Sequence, residues 1–324
     1  MTDMNHDTWT QRWPWLTGCN FIPSTAINQL EMWQADTFDP ETIDRELSMA
    51  ESIGLNVVRV YLHDLLWSQD SSGLVHRMRQ FLDIAQEHGI AALFVLFDDC
   101  WNQGAQLGKQ PDPVPGVHNS GWLQSPGARV VNDPSNWAPL EKYAKEVLST
   151  FADEPRIVGW DLYNEPGAGG QGSRSIPLLR KAFSWARQAA SSQPLTSGVW
   201  TEGEVTAVQV ELSDIVTFHN YRDVASLKAQ IEELRQHGRP LLCTEWLNRH
   251  QGSTVQTCLP AFFESGVGCI HWGLVSGKTN TIFPWGSKPG APEPSVWFHD
   301  LFRKDGTAFD PEETALFREY RQKA

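Results

Sequence analysis

Trp160-Asp161-Leu162-Tyr163-Asn164-Glu165-Pro166 reads as an apolar strand that delivers an amide and a carboxyl side by side and is then halted by proline. Proline has no N–H for a sheet ladder, so it marks the strand's end. Further on, Pro240-Leu241-Leu242-Cys243-Thr244-Glu245-Trp246 repeats the pattern, an apolar run followed by a carboxylate and an aromatic. Buried strands that end in polar side chains are how a parallel barrel presents chemistry at its rim.

The remaining segments supply that barrel. Eight strand-like runs, at 17–22, 56–62, 91–97, 157–163, 195–199, 215–219, 240–244 and 269–274, alternate with helix-like stretches at 40–52, 74–88, 137–151, 175–191, 204–212, 224–237, 254–264 and 313–321. Asp39 is a good N-cap, with Pro40 in the first turn after it. Leu74, Met78, Phe81, Leu82 and Ala85 recur at helical spacing and stop at Gly89. This alternation specifies an α/β fold, and eight units close as a (β/α)8 TIM barrel more readily than they lie as an open sheet. No GxGxxG follows the first strand, and the Gly-rich run 167–172 lacks the Lys-Ser/Thr of a phosphate loop.

One catalytic domain is expected over 1–324, with a polar N-terminal extension over 1–14. Two connections are long, 98–136 after the third strand and 275–297 after the eighth, and both are rich in Gly, Pro and Trp. Long insertions in a compact domain are usually functional, and these belong to the C-terminal rim.

The chain has 324 residues, of which 40% are hydrophobic and 20% charged, and carries a net charge of −13. That charge disfavours nucleic acid and anionic membrane as partners, because phosphate binding needs clustered Lys and Arg. A neutral sugar meets no such barrier. The 15 tryptophans are more than a core needs, and the surplus suits the flat C–H faces of pyranose rings. Five scattered cysteines include no CxxC pair, and Cys19, Cys243 and Cys269 fall in strands, which favours reduced thiols and a cytoplasmic compartment. Residues 1–14 lack the apolar core of a signal peptide, and no apolar run is long enough for a transmembrane helix. Neither metal nor cofactor is expected, since no His/Asp/Glu cluster has ligand spacing. Nothing in the residues speaks to oligomeric state.

The two strand-end carboxylates suit acetal hydrolysis. Such a reaction needs a proton for the leaving oxygen and an anion for the oxocarbenium-like centre, so one carboxyl stays protonated while the other stays ionised. Glu165 and Glu245 are the candidates, about 5 Å apart if configuration is retained. The proton donor is expected to have a raised pKa in the free protein. Arg59, alone in the apolar Val57-Val58-Arg59-Val60, needs a buried partner.

With these residues the chain resembles the clan A glycoside hydrolases, closest to glycoside hydrolase family 5, the cellulase and mannanase family. The resemblance spans the barrel and rests on short motifs. It implies that Glu165 is the acid/base with Asn164 as its helper amide, and that Glu245 is the nucleophile, kept ionised by Arg59. His219-Asn220-Tyr221 matches the family's His-x-Tyr after the sixth strand, and Trp272 in His271-Trp272-Gly273 matches its floor tryptophan. One departure stands out. Where the family usually has a histidine at the third strand's end, this chain reads Leu96-Phe97-Asp98-Asp99-Cys100-Trp101. The first-strand loop, with Glu31 and Trp33, looks more like that of exo-acting β-mannosidases of the clan.

The expected function is therefore a retaining glycoside hydrolase that removes terminal β-mannoside or β-glucoside units from short oligosaccharides. The alternatives are an endo-β-glucanase or mannanase, a transglycosylase on the same machinery, and, more remotely, an inactive carbohydrate-binding barrel. Sugar contacts are expected from Trp272, Glu31, Trp33, Trp101, His118, Trp122, Trp246 and Trp285. His63, just past the second strand, is either a further site residue or a helix cap.

Overall fold

The computed structural model describes residues 6–324, with side chains from Thr8 onward. Eight parallel strands form one sheet: β1 Thr17–Asn20, β2 Val57–Tyr61, β3 Ala91–Asp98, β4 Ile157–Asn164, β5 Leu195–Thr196, β6 Val216–His219, β7 Leu241–Glu245 and β8 Gly268–Trp272. Their order is β5-β4-β3-β2-β1-β8-β7-β6. The seam between β5 and β6 carries one parallel bridge, Val199 with Phe218, and Thr196 Oγ1 crosses it to Ile215 O at 2.9 Å. This is a nearly closed (β/α)8 barrel.

The helices are α1 His6–Arg12, α2 Gln29–Trp33, α3 Pro40–Ser52, α4 Asp64–Glu87, α5 Ala128–Val131, α6 Ala138–Thr150, α7 Ile176–Gln188, α8 Glu204–Leu212, α9 Val224–Arg235, α10 Val255–Glu264 and α11 Pro311–Lys323. Asp39 caps α3 as expected, its side chain accepting from Thr42 N. The helix read over 74–88 begins earlier, at Asp64. After Leu65-Leu66-Trp67 it runs through a polar stretch, 68–73, and is kinked at Asp70, which hides the helical period from the sequence.

Alternation along each strand divides two environments. Val58, Val60, Phe94 and Trp160 point outward into the shell under the helices. Val57, Leu93, Val158, Leu242 and Ile270 point inward and fill the lower barrel. One step higher on β2 the inward positions become Arg59 and Tyr61, so the interior turns from apolar to polar towards the C-terminal rim.

Of the extension expected over 1–14, residues 1–5 lie outside the described residues. The remainder is more than a polar tail. Trp9 and Trp13 pack beneath the lower apolar layer, and the Trp9 indole N–H donates to Val158 O at 2.8 Å. Thus α1 stops the N-terminal mouth of the barrel.

Candidate active site

Arg59 is fully buried at the heart of the polar layer. Its Nη1 donates to Glu245 Oε1 at 2.8 Å and to Asn20 Oδ1 at 2.8 Å. Its Nη2 donates to Asp161 Oδ2 and to Asn164 Oδ1, each at 2.7 Å. Burial alone would favour neutral Arg59, but Tyr61, Asp161 and Glu245 outweigh it and hold its pKa above the ordinary value. A buried guanidinium between two carboxylates satisfies the rule that interior charges are paired.

Glu245 is consequently surrounded by donors. Tyr61 OH reaches Oε1 at 2.9 Å and Tyr221 OH reaches Oε2 at 2.8 Å. His219 stands between the two glutamates, its Nδ1 2.8 Å from Glu165 Oε1 and 3.5 Å from Glu245 Oε2. A carboxylate oxygen of Glu165 and one of Glu245 lie within 4.8 Å of each other.

Glu165 sits just past the end of β4 with φ +43°, left-handed backbone that is uncommon for a glutamate. The turn swings its carboxyl back over the barrel, where Cys100 Sγ meets Oε2 at 3.1 Å. Burial pushes the Glu165 pKa up, but the hydrogen bond and charge of His219, with the Cys100 contact, prevail and set it below the ordinary glutamate value. The raised pKa expected of the free protein is thereby corrected. Direct contact with a histidine outweighs enclosure.

Asp98 occupies the third-strand position where the sequence departs from the resembled family. Its Oδ1 accepts from Asn164 Nδ2 at 2.9 Å and from Cys100 N at 2.9 Å, while Oδ2 accepts from Trp122 Nε1 at 2.8 Å. Burial raises its pKa to about 7, against the pull of those donors.

Above these groups opens a cleft of about 1090 Å³, at the large end of small-molecule sites. Asn164, Glu165, His219, Tyr221, Glu245 and Trp272 line it, as do Trp101, His118, Trp122 and Trp285. Trp101 and Trp285, each 41% exposed, stand at the mouth. Between them His118 stacks on Trp101 at 5.2 Å, and burial lowers its pKa to about 4, so it is neutral. Trp200 lines the other side, towards α8 and α9.

Three expected sugar contacts do not reach this cleft. Trp33 is fully buried, its indole N–H bonded to Tyr61 O at 2.9 Å. Trp246 packs outside the barrel against Phe262 and Phe317. Glu31 accepts from Lys278 Nζ at 2.6 Å and from Ile27 N at 2.7 Å. His63 is a helix cap, accepting from Leu65 N with Nδ1.

Tyr61, Asp98, Cys100, Asn20 and Asp161 were not read as site residues. Tyr61 was within reach of the pattern, since it lies two residues from Arg59 on the same strand face. The others depend on which side chains converge across the barrel.

The Glu31 contact belongs to a wider interlock. Asn28 Nδ2 on the first-strand loop donates to Gly121 O at 2.9 Å, and Asn280 Nδ2 donates to Val114 O at 3.0 Å. Asn119 N donates to Thr279 O and Gly290 N to Pro115 O, both at 2.8 Å. The loops after β1, β3 and β8 are knit into one wall.

No protein-family model matches the chain, and no curated protein does. Solved structures do. A family 5, subfamily 18 glycoside hydrolase from Streptomyces cattleya in complex with Manβ1-4GlcNAc aligns at TM-score 0.63 and 13% identity, over 95% of this chain and 80% of that one. What the chain shares with this structure, and with a mannanase and a mannosidase, is the (β/α)8 barrel. An endo-β-1,4-mannanase from Thermotoga petrophila aligns at TM-score 0.63 and 14% identity, over 97% and 77% of the two chains. An exo-β-1,4-mannosidase from an Opitutaceae bacterium aligns at 0.64 and 19%, over 95% of this chain and 59% of that one. At these identities the likeness is one of fold. Among the described residues no helix is long and apolar enough to cross a membrane, and all five cysteines are free.

Proposed function

We propose that the chain is a retaining β-glycosidase acting on terminal sugars of short β-linked substrates. The observation that carries this reading is the pair Glu165 and Glu245, with oxygens within 4.8 Å across His219. That spacing suits direct attack by one carboxylate and leaves no room for a water between them, as inversion would need.

Glu245, held by Arg59, Tyr61 and Tyr221, attacks the anomeric carbon. The same donors stabilise the carboxylate as leaving group in the second step. Glu165 protonates the departing oxygen and then, as a base, activates water. A sugar entering the cleft displaces solvent and strengthens the desolvation that already opposes charge on Glu165, so substrate binding favours the protonated acid.

The same three side chains are spaced like cation ligands. Yet both Glu245 oxygens are already met by Arg59, Tyr61 and Tyr221, which favours carboxylate chemistry. This complete set of donors also weighs against an inactive binding barrel. The wall made by three loops favours exo-action over an open endo cleft, and the polar side towards α8 and α9 suits a sugar leaving group.

The test is mechanism-based labelling with 2-deoxy-2-fluoro β-mannoside and β-glucoside, followed by peptide mapping. The adduct should lie on Glu245, and NMR of the first product should show retained β configuration. An α product would overturn the reading.

A further inference from the structure

Trp122 lines two cavities at once. On one side is the main cleft; on the other is a small enclosed space of about 10 Å³ whose walls include Asn20, Tyr61, Thr279, Thr281 and Asp300. That is room for about one water. Trp272 is the other aromatic shared by both cavities, and the two indoles meet edge to face at 5.5 Å. Together they separate the cleft from a polar space on the side of the first and eighth loops.

Trp122 arrives on the long loop after β3, where an indole has several places to pack. Two contacts fix it here. Its ring stands edge-on to Tyr61 at 5.0 Å, and its N–H is held by Asp98 Oδ2. Asp98 is itself 1% exposed and anchored by Asn164 and the Cys100 backbone.

We propose that the Asp98–Trp122 hydrogen bond sets substrate length, by holding Trp122 against Trp272 as a partition that limits the non-reducing side of the cleft to one sugar. This rests on the glycosidase reading above and deepens it. Asp98 is a positioning residue, acting through Trp122. Behind the partition Thr281 Oγ1 donates to Asp300 Oδ2 at 2.7 Å and lies 3.3 Å from Thr279 Oγ1, and a second sugar would exchange these bonds for its own if the wall were withdrawn.

The test uses 4-nitrophenyl β-glycosides of mannose and glucose and of their β-1,4-linked disaccharides, with first products separated by chromatography. From the disaccharide glycosides the native chain should release the terminal monosaccharide. Trp122→Ala should instead release intact disaccharide, raising the disaccharide-to-monosaccharide ratio about tenfold or more, as pocket-size discrimination commonly does. Asp98→Asn should move the ratio the same way by less, because an amide turned to accept from the indole presents its NH2 to donors on the other side. A merely structural role would lower turnover without changing this ratio. Trp122→Leu, which keeps more of the core filled, serves if the alanine variant does not fold.

An unchanged ratio in Trp122→Ala and Trp122→Leu, or intact disaccharide released by the native chain, overturns the proposal while the glycosidase reading stands. If the native chain neither turns over any of these glycosides in a Glu245-dependent way nor binds mannobiose or cellobiose by calorimetry, the glycosidase reading fails, and this proposal with it.

Discussion

Arg59 donates to Glu245 at 2.8 Å from a position with no solvent exposure. It reaches across the barrel interior from β2 to β7, with β1 and β8 between them in the wall and 186 residues between them in sequence. The same guanidinium holds Asp161, so one positive charge is shared between two interior carboxyl groups. Arg59→Ala is expected to cost about 3–5 kcal/mol of stability by leaving both uncompensated. Arg59→Lys keeps a charge but cannot fork between Asp161, Asn164 and Glu245, and should recover part of the stability and little activity. Denaturant titration beside turnover of an aryl glycoside checks both; an alanine variant as stable as the native chain would show that the pair is not coupled to folding.

The two glutamates should separate by leaving group. Glu245→Ala should abolish turnover of every substrate, with azide restoring it through an α-glycosyl azide. Glu165→Ala should retain glycosylation of substrates with excellent leaving groups, which need little protonation, and lose it for alkyl glycosides. Pre-steady-state measurement of the first step distinguishes these. Equal losses across leaving groups would remove Glu165 from the acid's role.

The pH profile follows from the groups around Glu165. His219 and Cys100 touch it, while Arg59, Asp98 and Glu245 lie close behind. Its lowered pKa in the free protein places the alkaline limb of kcat/KM on the acid side of neutrality, because the proton needed for the leaving oxygen is lost early. The limb of kcat should lie at higher pH, since bound sugar opposes the charge. His219→Asn removes the largest stabilisation of the anion, so its kcat/KM limb should move to higher pH even as the maximum falls. A limb that does not move would assign it to another group.

Asp300 offers a stability test distant from the reacting groups. Burial raises its pKa to about 7 from the ordinary 3.8, so the folded chain binds this proton more tightly than the unfolded chain. The resulting cost to folding is full above pH 7 and fades as pH falls towards 4. Asparagine is at home at the positive φ of this position, +41°. Asp300→Asn should therefore be more stable than the native chain at pH 8, by up to about 4 kcal/mol, with the advantage nearly gone at pH 4. Urea titrations at several pH values check the trend, and an advantage that grows towards acid would contradict it.

If the wall of three loops closes one end of the cleft, as proposed, digestion of a long β-mannan or β-glucan should release the smallest sugars with little early loss of viscosity. Lys278→Ala removes a partly exposed ion pair with Glu31, worth about 1 kcal/mol or less. It should leave stability nearly intact while loosening the product spectrum. A rapid viscosity drop with the native chain would show an open cleft.

The fold was legible because each strand carries its period and each break carries Gly, Pro or a cap. Glu165, Glu245 and Arg59 were legible for a related reason: a polar residue closing or interrupting an apolar strand has few bland explanations. The aromatic residues divided less cleanly. Trp33 and Trp246 follow the same local grammar as Trp272, yet both were drawn into packing, and nothing short-range tells an indole that faces a cleft from one that faces a helix. Asp98 and Cys100 were visible only as an oddity of the third strand, since their partners Trp122, Asn164 and Glu165 come from elsewhere on the chain.

The stopper at the barrel's lower mouth also bears on the order of folding. Trp9 is made before its acceptor, Val158, which lies 149 residues downstream, and Trp15 bonds Val267 O across 252 residues. Contacts of such separation carry a large loop-closure cost and form late. During translation α1 therefore has no seat until β4 has left the ribosome, and the indoles of Trp9 and Trp13 remain uncovered in the meantime. A nascent chain arrested before that point would present them to chaperones.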